Sequence, residues 1–262
     1  MTYTHGHHES VLRSHRWRTV ENSAAYATTY FAPGKRVLDV GCGPGTITLD
    51  IASRVAPGNV IGIDASAEVI AQAQQDAKGV DNVEFATGDV YALDFPDASF
   101  DVVHAHQVLQ HLPDAVGALR EMRRVCKPDG VVAARDSDYA AFTWYPHDPA
   151  LEAWLALYRD IARVNRGEPD AGRFLLAWAH AAGFADVKPT ASVWCFATPE
   201  DRAWWGNLWA DRITTSAIAE QAECEGFASR GELEQMAAAW RAWTVHPDAW
   251  FAVLHGEIIC RA

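Results

Sequence analysis

A glycine-rich turn and a later aspartate have the spacing in this chain that most clearly indicates chemistry. Residues 37–45 are Val-Leu-Asp-Val-Gly-Cys-Gly-Pro-Gly. Glycine lets the backbone turn sharply and approach a ligand closely, and the N-terminus of a following helix directs its amide hydrogens at that ligand. Asp64 lies 19 residues after Gly45, at the tip of the next apolar run, where a carboxylate accepts hydrogen bonds from ribose hydroxyls. Together these features predict a nucleoside-binding site.

Alternating strands and helices are needed to position this turn, and the first half of the chain predicts them. Short apolar runs alternate with segments whose apolar residues have helical spacing, which is typical of βαβ units and a parallel sheet. The apolar runs are continuous, as expected of strands that are covered on both faces. The predicted strands are 36–40, 60–63, 83–86, 100–105 and 131–134, and the predicted helices are about 46–54, 67–77 and 114–126.

The second half of the chain differs in composition. Of the 11 tryptophans, only Trp17 precedes residue 140. Apolar stripes at helical spacing predict several helices between two late strands, 192–197 and the broken stretch 250–260, which could pair as a hairpin. Such stripes usually pack a core, yet ten tryptophans exceed what packing needs, so some are predicted to line a pocket for a flat or apolar molecule. The predicted pocket residues are Tyr139, Trp144, Tyr145, Trp194, Trp205 and Trp209.

Five segments, in order along the chain, resemble class I S-adenosylmethionine-dependent methyltransferases. They are residues 37–45, Gly88-Asp89-Val90, residues 95–103, Gln110-His111-Leu112 and residues 119–130. The likeness is strongest to small-molecule enzymes of the ubiquinone and menaquinone biosynthesis type, and it spans about residues 35–135. It implies an α/β fold with a Rossmann-like, seven-stranded, mostly parallel sheet, helices on both faces and a helical cap or lid.

The resemblance also implies which residues hold the cofactor, S-adenosylmethionine. The residues expected around its methionine part are Asp39, Gly41, Cys42, Gly43 and Gly45. Asp64 is expected at the ribose, Ala65 beside the adenine, and Asp89 and Val90 in hydrogen bonds to the adenine. His106 and Gln107 are expected to reach the methionine amino end and the sulfonium. Taken alone, Cys42 indicates only a small packed residue.

The implied reaction is in-line transfer of the methyl group to a small, aromatic or apolar molecule, which leaves S-adenosylhomocysteine. Because the sulfonium is already activated, the enzyme's main tasks would be alignment and desolvation. A hydroxyl acceptor would benefit from a base, and histidine suits that role. The candidate catalytic residues are His106, His111 and His255, with Asp136 and Asp138 as further candidates. A structural role in its turn is the alternative for His111.

The first 34 residues predict a helical arm over the cofactor. Its candidate contact residues are Tyr3, His8, Arg13 and Arg16. The histidines at positions 5, 7, 8 and 15 lack a carboxylate or cysteine partner at a ligand spacing, so no metal site is predicted. The predicted organisation is the arm at 1–34, a cofactor-binding core at 35–147, and a helical cap with closing strands at 148–262, in one integrated domain.

Charge and composition exclude several classes of partner. The chain has 22 Lys plus Arg against 34 Asp plus Glu, a net charge of −12. This excess of acid disfavours nucleic acids and anionic membrane surfaces. An apolar run of about 18 residues, which a membrane span requires, is absent from the sequence, as is the pattern of a secretory signal. We therefore expect a cytoplasmic protein, monomeric or homodimeric, that acts on a small molecule.

Two other functions stay open from the sequence alone. A nicotinamide-dependent oxidoreductase has a related fold, but its glycine pattern is usually GxGxxG, whereas this chain has GxGxG. A non-catalytic S-adenosylmethionine-binding protein would bind the cofactor without turnover. A nucleic-acid methyltransferase is disfavoured because the net charge is acidic and no Asn-Pro-Pro-Tyr-like motif follows the fourth strand.

Overall fold

The computed structural model describes residues 16–262, which form two compact units. The sheet unit comprises residues 16–137, 171–192 and 255–262. The helical unit comprises residues 138–170 and 193–254. Among the described residues, no helix combines the length and the apolar composition that crossing a membrane requires.

Five parallel strands form the centre of the sheet unit. They are β1 (Arg36–Val40), β2 (Asn59–Asp64), β3 (Val83–Thr87), β4 (Phe100–His106) and β5 (Cys126–Ser137). Their order in the sheet is β3-β2-β1-β4-β5, and every neighbouring pair is parallel. Each strand contains one of the predicted apolar runs, so the prediction of a mostly parallel α/β sheet is confirmed.

Three further strands are β6 (Thr143–Tyr145), β7 (Val187–Phe196) and β8 (Trp250–Arg261). The β8 strand is antiparallel to both β5 and β6, and it also pairs with β7, as predicted for the two late strands. The sheet has eight strands, so the prediction of seven was one strand short. The extra strand is β6, whose three residues are too few to give an alternating pattern in the sequence. The stretch 250–260 is one continuous strand rather than a broken one.

Nine α-helices have both of their ends within the described residues 16–262. They are α1 (Val20–Ser23), α2 (Thr46–Val55), α3 (Ala67–Asp76), α4 (Ala115–Val125), α5 (Pro149–Val164), α6 (Leu175–Ala181), α7 (Pro199–Thr215), α8 (Ala217–Cys224) and α9 (Arg230–Val245). Side-chain caps fix several of their starts. Asp114 accepts a hydrogen bond from the Gly117 backbone at 2.8 Å, as its predicted role at the N-terminus of α4 requires.

Alternate residues of the strands face two separate apolar clusters. Leu38 and Val40 of β1 belong to one cluster, which includes buried residues of α4 and α6. Val37 belongs to the other cluster, which includes buried residues of α1 and α2. Because successive side chains of a strand point to opposite faces, these clusters place helices on both faces of the sheet.

An aromatic core holds the helical unit together. The Trp154 ring lies edge-on to Trp209 and Trp240, with centroid distances of 4.5 and 4.8 Å. Phe251 of β8 packs against both Trp154 and Trp240. All four rings are almost fully buried, so these aromatic stripes of the sequence are core residues.

Candidate active site

The loops after the parallel strands meet at one edge of the sheet unit. The register places Val40 beside Ile63 and Ala105, and Asp64 beside Thr87. The carboxyl ends of β1, β2, β3 and β4 are therefore level. In open α/β sheets, ligands bind outside this edge, and most of the predicted cofactor-binding residues lie in its loops.

The glycine-rich turn adopts a conformation that only glycine takes easily. Gly41, Gly43 and Gly45 all have positive φ angles, between 56° and 82°. A Cβ atom on Gly45 would lie 2.6 Å from the Phe85 ring, and one on Gly41 would overlap the Val108 side chain. At these two positions, protein side chains already exclude a Cβ atom, in addition to any requirement from a ligand.

Asp64 connects the glycine-rich turn to the end of β2. Its Oδ2 accepts a hydrogen bond from the Gly43 backbone at 3.1 Å, and its Oδ1 accepts one from the Ser66 backbone at 2.9 Å. The carboxylate is half-buried, and each oxygen has a second lone pair. These bonds orient the carboxylate and leave it able to accept hydroxyl hydrogens.

Asp39 is turned into the sheet unit. Its Oδ2 accepts a hydrogen bond from the Thr48 hydroxyl at 2.6 Å, and its Oδ1 lies 2.7 Å from Nδ1 of His104. The side chains of Asp39, Thr48 and His104 are all buried. Sequence reasoning did not select Thr48 or His104. The order of the strands was not predicted from the sequence; the register of β1 and β4, which pairs Asp39 with His104, is the signal that could have found His104.

The other predicted cofactor contacts on β1–β3 lie in the same loops. The Cys42 backbone donates to the Ile63 carbonyl at 2.9 Å, and burial raises the pKa of the Cys42 thiol well above its ordinary value. Asp89 is exposed, and its Oδ1 accepts from the Tyr91 backbone at 2.9 Å. Ala65 is exposed and Val90 is half-buried. Their contacts to a cofactor remain predictions.

Gln107, directly after β4, is held in a strained backbone conformation. Its φ of +54° is uncommon for a residue with a side chain. The backbone N–H donates to the Arg135 carbonyl at 2.7 Å. The side-chain Oε1 accepts from Arg18 at 2.5 Å, while Nε2 donates to the Ser137 hydroxyl at 2.8 Å and lies 2.9 Å from Nε2 of His255. Such strain is often found at functional sites.

Gln110 holds a second histidine in a similar way. Its backbone N–H donates to Oδ1 of Asp136 at 3.0 Å. Its side-chain Oε1 accepts from the Ser137 backbone at 3.2 Å, and its Nε2 lies 3.0 Å from Nε2 of His111. Ser137 therefore bonds both glutamines, Gln107 through its hydroxyl and Gln110 through its backbone.

Burial changes the protonation of the groups beside these glutamines. Burial, together with the Arg18 and Arg135 charges, holds the pKa of His106 well below 6.5. Burial and then Arg18 lower the pKa of His111 to about 3. Burial raises the pKa of Asp136 to about 7, against the lowering effect of the Gln110 N–H. The structure thus contains neutral histidines beside a carboxyl group that titrates near neutrality.

The predicted catalytic histidines are brought together only in part. The rings of His106 and His255 are stacked, with a centroid distance of 6.3 Å. His111 lies in the short turn Leu109–His111 and contacts Gln110 instead. Asp138, the further candidate beside Asp136, is buried in the helical unit, where its backbone N–H donates to the Leu254 carbonyl.

The six predicted pocket aromatics all lie in the helical unit. Trp209 packs on Trp154, and Trp205 stacks on Phe196 at 4.3 Å, both as buried core residues. Tyr139 stacks on Tyr158 and Trp144 stacks on Phe251, whereas Tyr145 is half exposed and Trp194 is buried. Their contact with an acceptor remains a prediction.

The predicted arm at residues 1–34 lies only in part within the described residues, which begin at residue 16. Tyr3, His8 and Arg13, and the histidines at 5, 7 and 15, precede residue 16. Arg16 is described and exposed. Sequence reasoning missed Arg18, which bonds Gln107, although a basic residue was expected in this segment. Within residues 16–262, no group of three histidine, cysteine or acidic side chains could hold a metal ion.

Comparison with known proteins decides the family. Residues 31–205 match the family described as methyltransferase domain. The chain belongs to this family. An uncharacterised methyltransferase of Schizosaccharomyces pombe is 34% identical over 98% of this chain and 95% of its own length. A demethylmenaquinone methyltransferase of Staphylococcus aureus is 36% identical over 48% of this chain and 50% of its own. The crystal structure of the YcgJ protein of Bacillus subtilis, at 22% identity, matches 97% of this chain and 99% of its own with a TM-score of 0.57.

This methyltransferase is a class I enzyme that depends on S-adenosylmethionine. The resemblance to class I methyltransferases that the sequence motifs indicated is confirmed. The S. aureus relative is a demethylmenaquinone methyltransferase, in agreement with the menaquinone-type likeness of those motifs. The likeness to YcgJ supports the fold. No finding favours a nicotinamide-dependent oxidoreductase or a non-catalytic binding protein.

Proposed function

We propose that this methyltransferase transfers the methyl group of S-adenosylmethionine to a small, aromatic or apolar molecule and releases S-adenosylhomocysteine. The supporting observation is the bond between Asp64 and the glycine-rich turn, because it couples the proposed ribose site to the proposed methionine site. The turn has positive φ angles and close backbone packing, and the Asp64 carboxylate keeps lone pairs for hydroxyls. These features fit a nucleoside with a short polar tail.

The proposed roles follow the positions of the residues along the edge. When bound, the cofactor supplies an activated methyl group on a sulfonium. Gly41, Cys42, Gly43 and Gly45 bind its methionine part through their backbone, and Asp39 fixes the base of the turn through Thr48. Asp64 binds the ribose, with Ala65 beside the adenine, and Asp89 and Val90 bind the adenine. His106 and Gln107 would reach the methionine amino end and the sulfonium. Of the predicted pocket aromatics, Trp144 and Tyr145 keep exposed surface and would be the ones to contact the acceptor.

Proton removal is needed if the acceptor atom is a hydroxyl oxygen. The candidates that the sequence predicted for this role are His106, His111 and His255, and Asp136 is a fourth candidate. A base works best when its pKa lies near the working pH. By that criterion Asp136, with a pKa of about 7, is better matched than His111, whose pKa is about 3.

Calorimetric titration tests the cofactor site. We expect S-adenosylmethionine and S-adenosylhomocysteine to bind the wild-type protein and NAD not to bind. Asp64→Ala should weaken S-adenosylhomocysteine binding at least tenfold, because it removes the ribose acceptor and the bond to Gly43 that connects it to the glycine-rich turn.

The matched control is Asp81→Ala, which changes an exposed aspartate in the turn before β3. It should leave the affinity unchanged. Equal affinities of wild type and Asp64→Ala would contradict the assigned ribose site. Absence of binding by either S-adenosyl compound would contradict the proposed function. With binding established, an acceptor screen by release of S-adenosylhomocysteine tests the substrate class.

We propose a cytoplasmic enzyme whose partners are its cofactor and a small-molecule acceptor, without nucleic acid or membrane. The net charge of −12 supports this, because phosphate backbones and anionic headgroups are bound by basic surfaces. A homodimer and a monomer are both compatible with this proposal.

A further inference from the structure

The two glutamines beside the proposed methyl-transfer site have defined amide orientations. An amide oxygen can only accept and an amide nitrogen can only donate. The Arg18 guanidinium can only donate, so the Gln107 amide must turn its Oε1 toward Arg18. The Ser137 backbone N–H can only donate, so the Gln110 amide must turn its Oε1 toward Ser137.

Each amide nitrogen then faces one ring nitrogen of a histidine. Nε2 of Gln107 lies 2.9 Å from Nε2 of His255, and Nε2 of Gln110 lies 3.0 Å from Nε2 of His111. An amide N–H requires an acceptor, and a histidine nitrogen accepts only when it carries no hydrogen. In both rings the hydrogen must therefore be on Nδ1.

We propose that Gln107 and Gln110 are positioning residues that hold His255 and His111 as neutral Nδ1–H tautomers. Nε2 of each ring is occupied by an amide N–H and is not available to take a proton from an acceptor. Both histidines then serve the site as oriented hydrogen-bonding groups. A hydroxyl acceptor would lose its proton to His106 or Asp136 instead. This last consequence rests on the proposed methyl transfer, whereas the tautomers themselves do not.

Several other features of the structure support a defined role for this network. Gln107 keeps a φ of +54°, which its four hydrogen bonds compensate. Ser137 bonds both glutamines, so one buried residue of β5 aligns the two amides. The register pairs Ser137 directly with His255 on β8. Burial also lowers the pKa of His111, which disfavours the doubly protonated ring.

Nitrogen NMR of histidine-labelled protein tests the proposal, because the two ring nitrogens have distinct shifts in each tautomer. Signals of His111 and His255 are identified by their loss in His111→Gln and His255→Gln. We expect both rings to carry hydrogen on Nδ1 and none on Nε2 in the wild-type protein at neutral pH. A hydrogen on Nε2 of either ring would overturn the assignment for that residue.

Two carboxylate variants make the test specific. In Gln107→Glu an oxygen replaces the amide N–H that faces His255, so that ring should gain a hydrogen on Nε2. His111 should keep its tautomer. In Gln110→Glu, His111 should gain a hydrogen on Nε2 and His255 should keep its tautomer. An unchanged His255 in Gln107→Glu, or an unchanged His111 in Gln110→Glu, would overturn the proposal. Folding is checked in the same samples by the dispersion of the amide signals.

Cofactor binding separates this proposal from the proposed function. S-adenosylhomocysteine is titrated into the wild-type sample used for NMR. Binding of the product together with the wrong tautomers would overturn only the role of the glutamines. The expected tautomers without any binding would overturn only the methyltransferase site, since the hydrogen bonds are a property of the chain itself.

Discussion

Asp136 has the most perturbed carboxyl group among the candidate site residues. It is fully buried, and its Oδ2 has no hydrogen-bond partner within the part of the chain that the structure describes. Burial raises the pKa of Asp136 to about 7, whereas an unfolded aspartate titrates near 3.9. Between these values the folded protein binds a proton that the unfolded chain lacks. The free energy of unfolding is therefore expected to fall as the pH rises from about 4 to 7.

We predict that Asp136→Asn reduces this loss of stability. The amide oxygen of asparagine still accepts from the Gln110 backbone but does not ionise. The unfolding free energy of Asp136→Asn minus that of wild type should be larger at pH 8 than at pH 4.5. Urea unfolding of both proteins at both pH values measures this. Asp81→Asn, at an exposed position, is the control. If the unfolding free energies of Asp136→Asn and wild type differ by the same amount at both pH values, the raised pKa of Asp136 is contradicted.

Residue types alone predicted the ends of strands better than the directions of side chains. Asp39, Asp64 and Gln107 were selected correctly as strand-end residues, because apolar runs indicate where strands end. The inward turn of Asp39 toward Thr48 and His104 was not predictable, since it depends on three elements packing together. The left-handed conformation of Gln107 was also missed, because it is stabilised by residues distant in sequence.

At the scale of elements, the glycine-rich turn joins β1 to α2. Its glycines were predicted from the ligand they would approach, but Val108 and Phe85 also require two of them. A side chain at Gly41 would meet the left-handed backbone penalty as well as overlap with Val108. The same residue thus supports both the fold and the proposed cofactor site.

We predict that Gly41→Ala lowers the free energy of unfolding by about 2 kcal/mol or more, because it adds backbone strain and overpacking. Gly231→Ala is the matched control. Gly231 lies in α9, and a Cβ atom there has no neighbour within 4 Å, so alanine should be neutral or stabilise by up to about 1 kcal/mol. Denaturant unfolding of both variants measures this. Equal effects of the two substitutions would show that the turn tolerates a side chain.

The length of an element decided whether the sequence could predict it. The strands β1 to β5 have continuous apolar cores of several residues, which predicted them. The three residues of β6 pair with Trp250, Phe251 and Ala252 of β8. A strand that depends on a partner about a hundred residues away leaves little local signal.

At the scale of the whole molecule, the excess of acidic residues disfavours nucleic acid as the acceptor. The net charge is −12, and the cations of the sheet unit are partly occupied in ion pairs such as Arg135 with Glu257 and Arg124 with Glu121. Nucleic-acid binding draws most of its affinity from contacts between cations and phosphates. The net negative charge of the chain therefore disfavours binding to nucleic acids and other polyanions.

We predict no saturable binding of a fluorescein-labelled single-stranded RNA or duplex DNA at micromolar protein and low salt, measured by anisotropy. S-adenosylhomocysteine at saturating concentration should not change this result. A lysine-rich protein of similar size is the positive control for the probe. Binding that weakens steeply with added salt would reveal a basic surface and would move the acceptor into the nucleic-acid class.

The uneven distribution of tryptophan has a spectroscopic consequence. Of the 11 tryptophans, Trp17 and Trp178 belong to the sheet unit and the other nine to the helical unit. Several of the nine have ring centroids within about 6 Å of each other, close enough for excitation energy to pass between them. We therefore expect most of the intrinsic emission to come from the helical unit. Quenching by an added molecule would then report on that unit, whereas the proposed cofactor residues lie in the sheet unit. Candidate acceptors can be screened by quenching of tryptophan fluorescence, without labelling the protein.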